Sequence, residues 1–194
     1  MNRREALAAL STVLGGTIIG AQAFLSGCAT PTPASTEPAF VGMLGEADVA
    51  LLNEIGETIL PTTPGSPGAG AANVGAFMNV MVTDCYSPEE QQIFQAGLPA
   101  LAAAVQEQYG QDFASLTAEQ KHEFVLGLEA EARHYATTRL PEDPEIHYYS
   151  MIKQMTLLGY FTSEAGQTRA LRYVAVPGRY EGCVPLEEGQ RAWA

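Results

Sequence analysis

Positive charge is scarce in this chain. Its 194 residues hold 10 Lys and Arg against 22 Asp and Glu, a net charge of −12, and charged residues of both signs make up only 16%. A surface that neutralises phosphates needs clustered bases, so nucleic acid is excluded as a partner. Cysteine is equally sparse, at three residues. That is too few for a disulfide scaffold, and without a Cys-x-x-Cys pair there is no zinc ribbon and no covalent haem site. Also missing are a dinucleotide fingerprint, a phosphate loop, a nucleophile elbow and runs of alternating strand residues. The Gly65-Ser-Pro-Gly68-Ala-Gly70 segment follows no strand and precedes no Lys-Ser/Thr. Disorder is excluded from the other side, because 46% of the residues are apolar and can bury a core.

What the N-terminus does contain is an export address. Arg3 and Arg4 precede an uncharged stretch from Ala6 to Leu25, and Leu25-Ser-Gly-Cys28 follows. A positive start, an apolar middle and small residues at the end define a secretory signal. Paired arginines resemble the twin-arginine signal for export of folded proteins. Leu-Ser-Gly-Cys resembles a bacterial lipobox, which makes Cys28 the lipidated first residue after cleavage. Gly15, Gly16, Gly20 and Gln22 weaken the rival reading of a permanent membrane span. Ala29, rather than Asp, favours outer-membrane sorting. Loss of Arg3, Arg4 and Glu5 leaves 8 bases and 21 acids, a charge of −13. Three segments are therefore expected: residues 1–27 as signal peptide, 28–45 as lipidated cysteine and Pro-rich tether, and 46–194 as a helical domain. Lipid on Cys28 would hold that domain on the periplasmic side of a membrane.

Within the mature chain, apolar residues recur at helical spacing. Val49, Leu52, Ile55 and Ile59 predict a helix over 47–60, stopped by Pro61. A second is expected over 72–85. Ser87-Pro-Glu-Glu90 combines a cap, a proline suited to the first turn and a capping-box glutamate, opening a helix to Tyr109. Thr117 and Gln120 repeat the device for a helix reaching Ala132 or beyond. Asp143-Pro144 is read as the start of a helix ending near Gly159, and Thr162 to Leu171 as a short last one. Residues 174–194 lack periodicity. The expected fold class is all-α, a small irregular helical bundle with an extended C-terminal tail.

Candidate chemistry is thin. Glu131-Ala-Arg-His134 has the Glu-x-x-His spacing of di-iron bundles, but neither a second copy nor two further inward glutamates accompany it. His122-Glu123 lacks the second histidine of a zinc-protease helix. No catalytic residue and no metal ligand is assigned. With Cys28 lipidated, Cys85 and Cys183 remain. They pair with each other, or Cys183 bonds a partner subunit, or both stay free. An intrachain bond would contribute about 4 kcal/mol by closing a long loop. Aromatics and arginines interleave toward the C-terminus: Tyr160, Phe161, Arg172, Tyr173, Pro177, Arg179, Tyr180 and Cys183. Tyr and Arg are enriched in protein interfaces, which makes these the candidate partner-contact residues.

Four segments carry a family resemblance: Glu57-Thr-Ile-Leu-Pro61 with its Pro-Gly turns, Asp84-Cys-Tyr-Ser-Pro88, Ile152-Lys-Gln-Met-Thr-Leu-Leu-Gly-Tyr-Phe-Thr-Ser163, and Pro177-Gly-Arg-Tyr-Glu-Gly-Cys-Val-Pro185. Over about residues 46–186 the chain resembles the gluconate 2-dehydrogenase subunit 3 family. The Cys28 lipobox departs from members that carry the twin-arginine signal alone. The resemblance implies a non-catalytic small subunit of a membrane-associated sugar or polyol dehydrogenase. Its partner would be a catalytic flavoprotein of the glucose–methanol–choline class that binds FAD. Electrons would pass to a cytochrome c subunit, through haem c or an iron–sulfur cluster on partner chains. The small subunit would escort the folded flavoprotein through the twin-arginine route and stabilise it. Gluconate, glucose, fructose, sorbitol and the C3 position of a glycoside all remain open as substrates. The competing expectation is a free-standing periplasmic lipoprotein serving as a scaffold or ligand-binding module.

Overall fold

The computed structural model describes residues 42–176, 178–179, 182–185 and 187–194. Arg3, Arg4 and Cys28 lie outside the described residues, as do Pro177 and Tyr180. From Gly42 onward the chain forms one compact unit. It is an all-α bundle, as expected, of five α-helices among the described residues: α1 Glu46–Ile59, α2 Val74–Cys85, α3 Pro88–Tyr109, α4 Ala118–Thr138 and α5 Tyr148–Thr162. Short 3₁₀ turns cover Ala69–Ala72 and Phe113–Ser115. None of the described helices is long and apolar enough to cross a membrane.

Helix α5 is the centre of the bundle and packs against the other four. Tyr149, Met151, Ile152 and Met155 are all but fully buried there, against Leu52 and Ile55 of α1, Met78 of α2 and Phe94 and Leu101 of α3. Each such side chain removed from water contributes about 1.5–3 kcal/mol before entropy is counted.

The helix ends follow local chemistry. Ser87 Oγ accepts from Glu90 N, and the Glu90 carboxylate accepts from Ser87 N, so the capping box of α3 forms as expected. Thr117 and Gln120 do the same for α4. Gly110 (φ 69°) ends α3 in the left-handed region that glycine tolerates. Helix α3 continues through Pro99, which cannot donate to the carbonyl four residues back. Burial of Phe94, Leu98, Leu101 and Val105 on its other face outweighs that loss.

Three boundaries differ from expectation. Helix α2 starts at Val74, not Ala72, because Asn73 is left-handed at φ 50° and divides the 3₁₀ turn from the helix. Asn53 fixes that junction: its Nδ2 donates to Asn73 Oδ1 (2.9 Å) and its Oδ1 accepts from Gly75 N (2.8 Å). Helix α5 begins four residues after Pro144. Asp143 Oδ2 caps Leu140 N (2.7 Å) in a turn, and the Tyr135 hydroxyl donates to the Pro144 carbonyl (2.7 Å). His147, not Asp143, caps the helix. Gly159 does not end α5. A Cβ there would lie 2.6 Å from the Phe77 ring, so this glycine is a packing notch between α2 and α5. The last helical piece ends in a π-turn, Gly166–Ala170, folded tightly on the Tyr160 carbonyl.

The tail turns back on itself. Arg172 N donates to Ala192 O (2.8 Å), Ala194 N to Arg172 O (3.3 Å), and the Arg172 guanidinium sits 4.1 Å from the centre of the Trp193 ring. These contacts join the chain at Arg172 to its last residues, Ala192–Ala194.

Candidate functional site

Of the three histidines, only His147 has side-chain partners among the described residues; His122 is exposed on α4. His134 lies exposed on α4. Glu131 turns to His147, with Nε2 to Oε1 at 3.5 Å. His147 Nδ1 accepts from Tyr149 N (3.3 Å), and its ring lies between Tyr135 and Tyr148. Among the described residues no group of three or more His, Cys, Asp or Glu is arranged to hold a metal ion. Burial pushes the Tyr148 phenol up to about 12, with the Glu131 carboxylate adding to the shift. Burial does the same to Tyr149, also to about 12, assisted by Glu129. Neither phenol is poised to exchange a proton near neutrality.

An open groove of about 900 Å³ lies between the start of α3 and the 142–146 turn. Glu89, Glu90, Glu142, Asp143 and Glu145 line it without a base or nucleophile beyond Ser87. Ser87 and two of these acids already have partners. Hydrogen bonds from Ser87 hold the Glu90 carboxyl below the usual carboxylate range, and Asp143 caps Leu140. The Glu129 carboxylate bonds Lys153 Nζ (2.7 Å) and Arg133 (3.1 Å). These are stabilising pairs between and along helices, not acid–base machinery.

The family-like segments have structural tasks that spacing alone does not show. Glu57 organises the Pro/Gly connector: Oε1 accepts from Thr62 N (2.7 Å) and Oε2 from Gly70 N (2.8 Å). Thr62 Oγ1 accepts from Gly68 N (3.0 Å). Gln91 Nε2 reaches back to the Val82 and Thr83 carbonyls and so caps the end of α2.

The candidate partner-contact residues separate on structure. Tyr160 is 3% exposed. Its hydroxyl donates to the Pro67 carbonyl (2.5 Å) and meets Ser66 Oγ (2.8 Å). Tyr160 is therefore a clamp between α5 and the connector, not a surface residue, which corrects its expected role. Phe161, Arg172, Tyr173, Arg179 and Cys183 are exposed. Sequence reasoning missed the exposed Val80, Leu157, Leu158, Val174, Val176, Val184 and Trp193. The available signal was the all-round apolar run Met155–Phe161, which places residues on both faces of α5. Cys85 and Cys183 are both exposed and free, so of the three alternatives the intrachain bond is not formed in this structure.

The profile of the gluconate 2-dehydrogenase subunit 3 family matches residues 46–178. The chain belongs to the gluconate 2-dehydrogenase subunit 3 family. Membership makes it an accessory subunit of a dehydrogenase complex. The matched region stops at Gly178 and so takes in only the first two residues of the Pro177–Pro185 segment. No curated protein and no solved structure matches the chain.

Proposed function

We propose that this gluconate 2-dehydrogenase subunit 3 relative is the non-catalytic small subunit of a membrane-associated, FAD-dependent sugar or polyol dehydrogenase. The family match over 46–178 carries that reading. FAD belongs to a partner flavoprotein of the glucose–methanol–choline class, since this chain has no dinucleotide fingerprint. A cytochrome c subunit, with haem c or an iron–sulfur cluster on the partner chains, takes the electrons. Arg3 and Arg4 direct the folded complex through the twin-arginine route. Cys28 anchors it on the periplasmic side of the membrane, with the outer membrane favoured. Two observations support an escort role over a catalytic one. His147 serves as a helix cap, and the Glu129 carboxylate is held in ion pairs with Lys153 and Arg133. Apolar side chains, Tyr173, Val174, Val176, Val184 and Trp193, stand exposed along the tail, as contact residues do before a partner covers them.

The test changes Arg3 and Arg4 together to Lys and measures periplasmic dehydrogenase activity. Loss of exported activity, with the flavoprotein retained in the cytoplasm, is expected. Unchanged export refutes the escort role. Mass spectrometry of what co-purifies with the native chain from membranes identifies the flavoprotein; its absence favours the free-standing lipoprotein.

A further inference from the structure

Charge is unevenly distributed over the bundle. Between residues 42 and 163 there are 16 acids and 4 bases, yet the 26 consecutive residues from Thr58 to Thr83 contain neither. Residues 154–163 are also uncharged. The fold brings these two stretches together. Phe77 of α2 fills the notch at Gly159 of α5. Tyr160 holds the connector at Ser66 and Pro67, and the Phe161 ring packs edge-on against Tyr160 at 5.0 Å. Within these two uncharged stretches Val80, Leu157, Leu158 and Phe161 are 39, 36, 47 and 38% exposed. The Pro61–Gly65 turn, which leads into the Ser66–Pro67 pair held by Tyr160, is exposed as well.

That turn is more rigid than a connection requires. Helix–helix connections in bundles usually take about 2–8 residues, and longer ordered ones tend to be functional. This one spans residues 60–73. It is fixed by the Glu57 carboxylate, the Thr62 hydroxyl, the Tyr160 hydroxyl and a Thr63–Ser66 bridge. Its exposed residues are therefore held in one conformation before any partner arrives, which lowers the ordering cost of binding.

We propose that this uncharged face, the Pro61–Gly65 turn with Val80 of α2 and Leu157, Leu158 and Phe161 of α5, is where the chain docks the catalytic subunit of its dehydrogenase. The proposal rests on the accessory-subunit reading and adds the surface. Interface centres are depleted of charge and rich in aromatic and apolar groups. The edge of this face is acidic, with Asp84 at the end of α2 and Glu164 just beyond α5 both exposed. Its complement is a protein surface that is apolar at the centre and basic at the rim. A second copy brings a second strongly negative chain against the first, and an anionic membrane surface repels it in the same way.

The experiment co-expresses the full chain with the catalytic flavoprotein of its own complex. It compares wild type, Leu158→Glu/Phe161→Glu and a control on α4, Leu126→Glu at a side chain 55% exposed, by affinity and by light scattering. The face variant is expected to weaken the flavoprotein complex about 100-fold or more, as the loss of central contact residues does, and the α4 control far less. Hydrogen exchange on the wild-type complex is expected to show new protection over 62–73 and 154–163, a readout that needs no variant to fold. Retained affinity in the face variant, or no new protection there, overturns the assignment. A wild-type dimer that the variant dissolves while flavoprotein binding persists assigns the face to a second copy and also overturns it. Failure of wild type to bind the flavoprotein at all refutes instead the accessory-subunit reading on which the face depends.

Discussion

Replacing Tyr160 by Phe removes one oxygen atom and separates a structural role from a contact role at a residue that composition assigns to the surface. The ring is 3% exposed in either case, so its apolar burial is unchanged. What is lost is the hydroxyl's donation to Pro67 O and its contact with Ser66 Oγ. A neutral hydrogen bond contributes a net of about 0.5–1.5 kcal/mol, and a buried partner left unpaired adds to the cost. Ser66 Oγ still donates to Pro67 O at 3.3 Å, which offsets part of that penalty. The expected loss is therefore about 1–2 kcal/mol, or a fall in Tm of about 2–8 °C for a domain of this size. Urea unfolding followed by circular dichroism measures the first and a thermal melt the second. Affinity for the flavoprotein should fall only slightly, because the side chain presents nothing to solvent. A variant that melts like wild type but no longer binds the flavoprotein would refute the clamp and return Tyr160 to the interface.

Three further outcomes follow from the geometry. Gly75→Ala places a Cβ 2.2 Å from the Val49 carbonyl of α1; backbone cannot rotate away, so a loss of about 3 kcal/mol or more is expected by denaturant unfolding. The Glu129 carboxyl is held low, first by its hydrogen bond from Lys153 and also by Arg133. A depressed folded pKa gives a contribution that is present above the ordinary glutamate range of about 4.3 and lost as pH falls through the folded value. Glu129→Gln should therefore flatten the stability–pH curve below about pH 5, and an unchanged slope would exclude the pair as its source. Cys85 and Cys183 are exposed and free, so a thiol titration of the mature domain should find both reactive; a titre of zero would restore the bond between them.

Local signals settled most of the helical framework. Caps, prolines and stop glycines act within one turn of chain, so Ser87, Thr117 and Gly110 were legible in order along the sequence. Where the outcome differed, a distant group intervened. Asn53 holds the Asn73–Gly75 junction from a neighbouring helix, and the Tyr135 hydroxyl draws Pro144 into a turn. Periodicity cannot report a hydrogen bond across such gaps.

The candidate site divides the same way. The sequence by itself determined the all-α class, the acidic and phosphate-averse character, the lack of catalytic motifs and, through its motifs, the family. Those properties depend on composition and short spacings. Tertiary structure alone decided that Tyr160 is interior while Phe161, its neighbour, is exposed, because a helix turns about 100° per residue and only packing says which side faces the core. It alone brought the uncharged 58–83 and 154–163 stretches together. That juxtaposition requires Phe77 to seat at Gly159, a contact between residues 82 positions apart that no local pattern encodes.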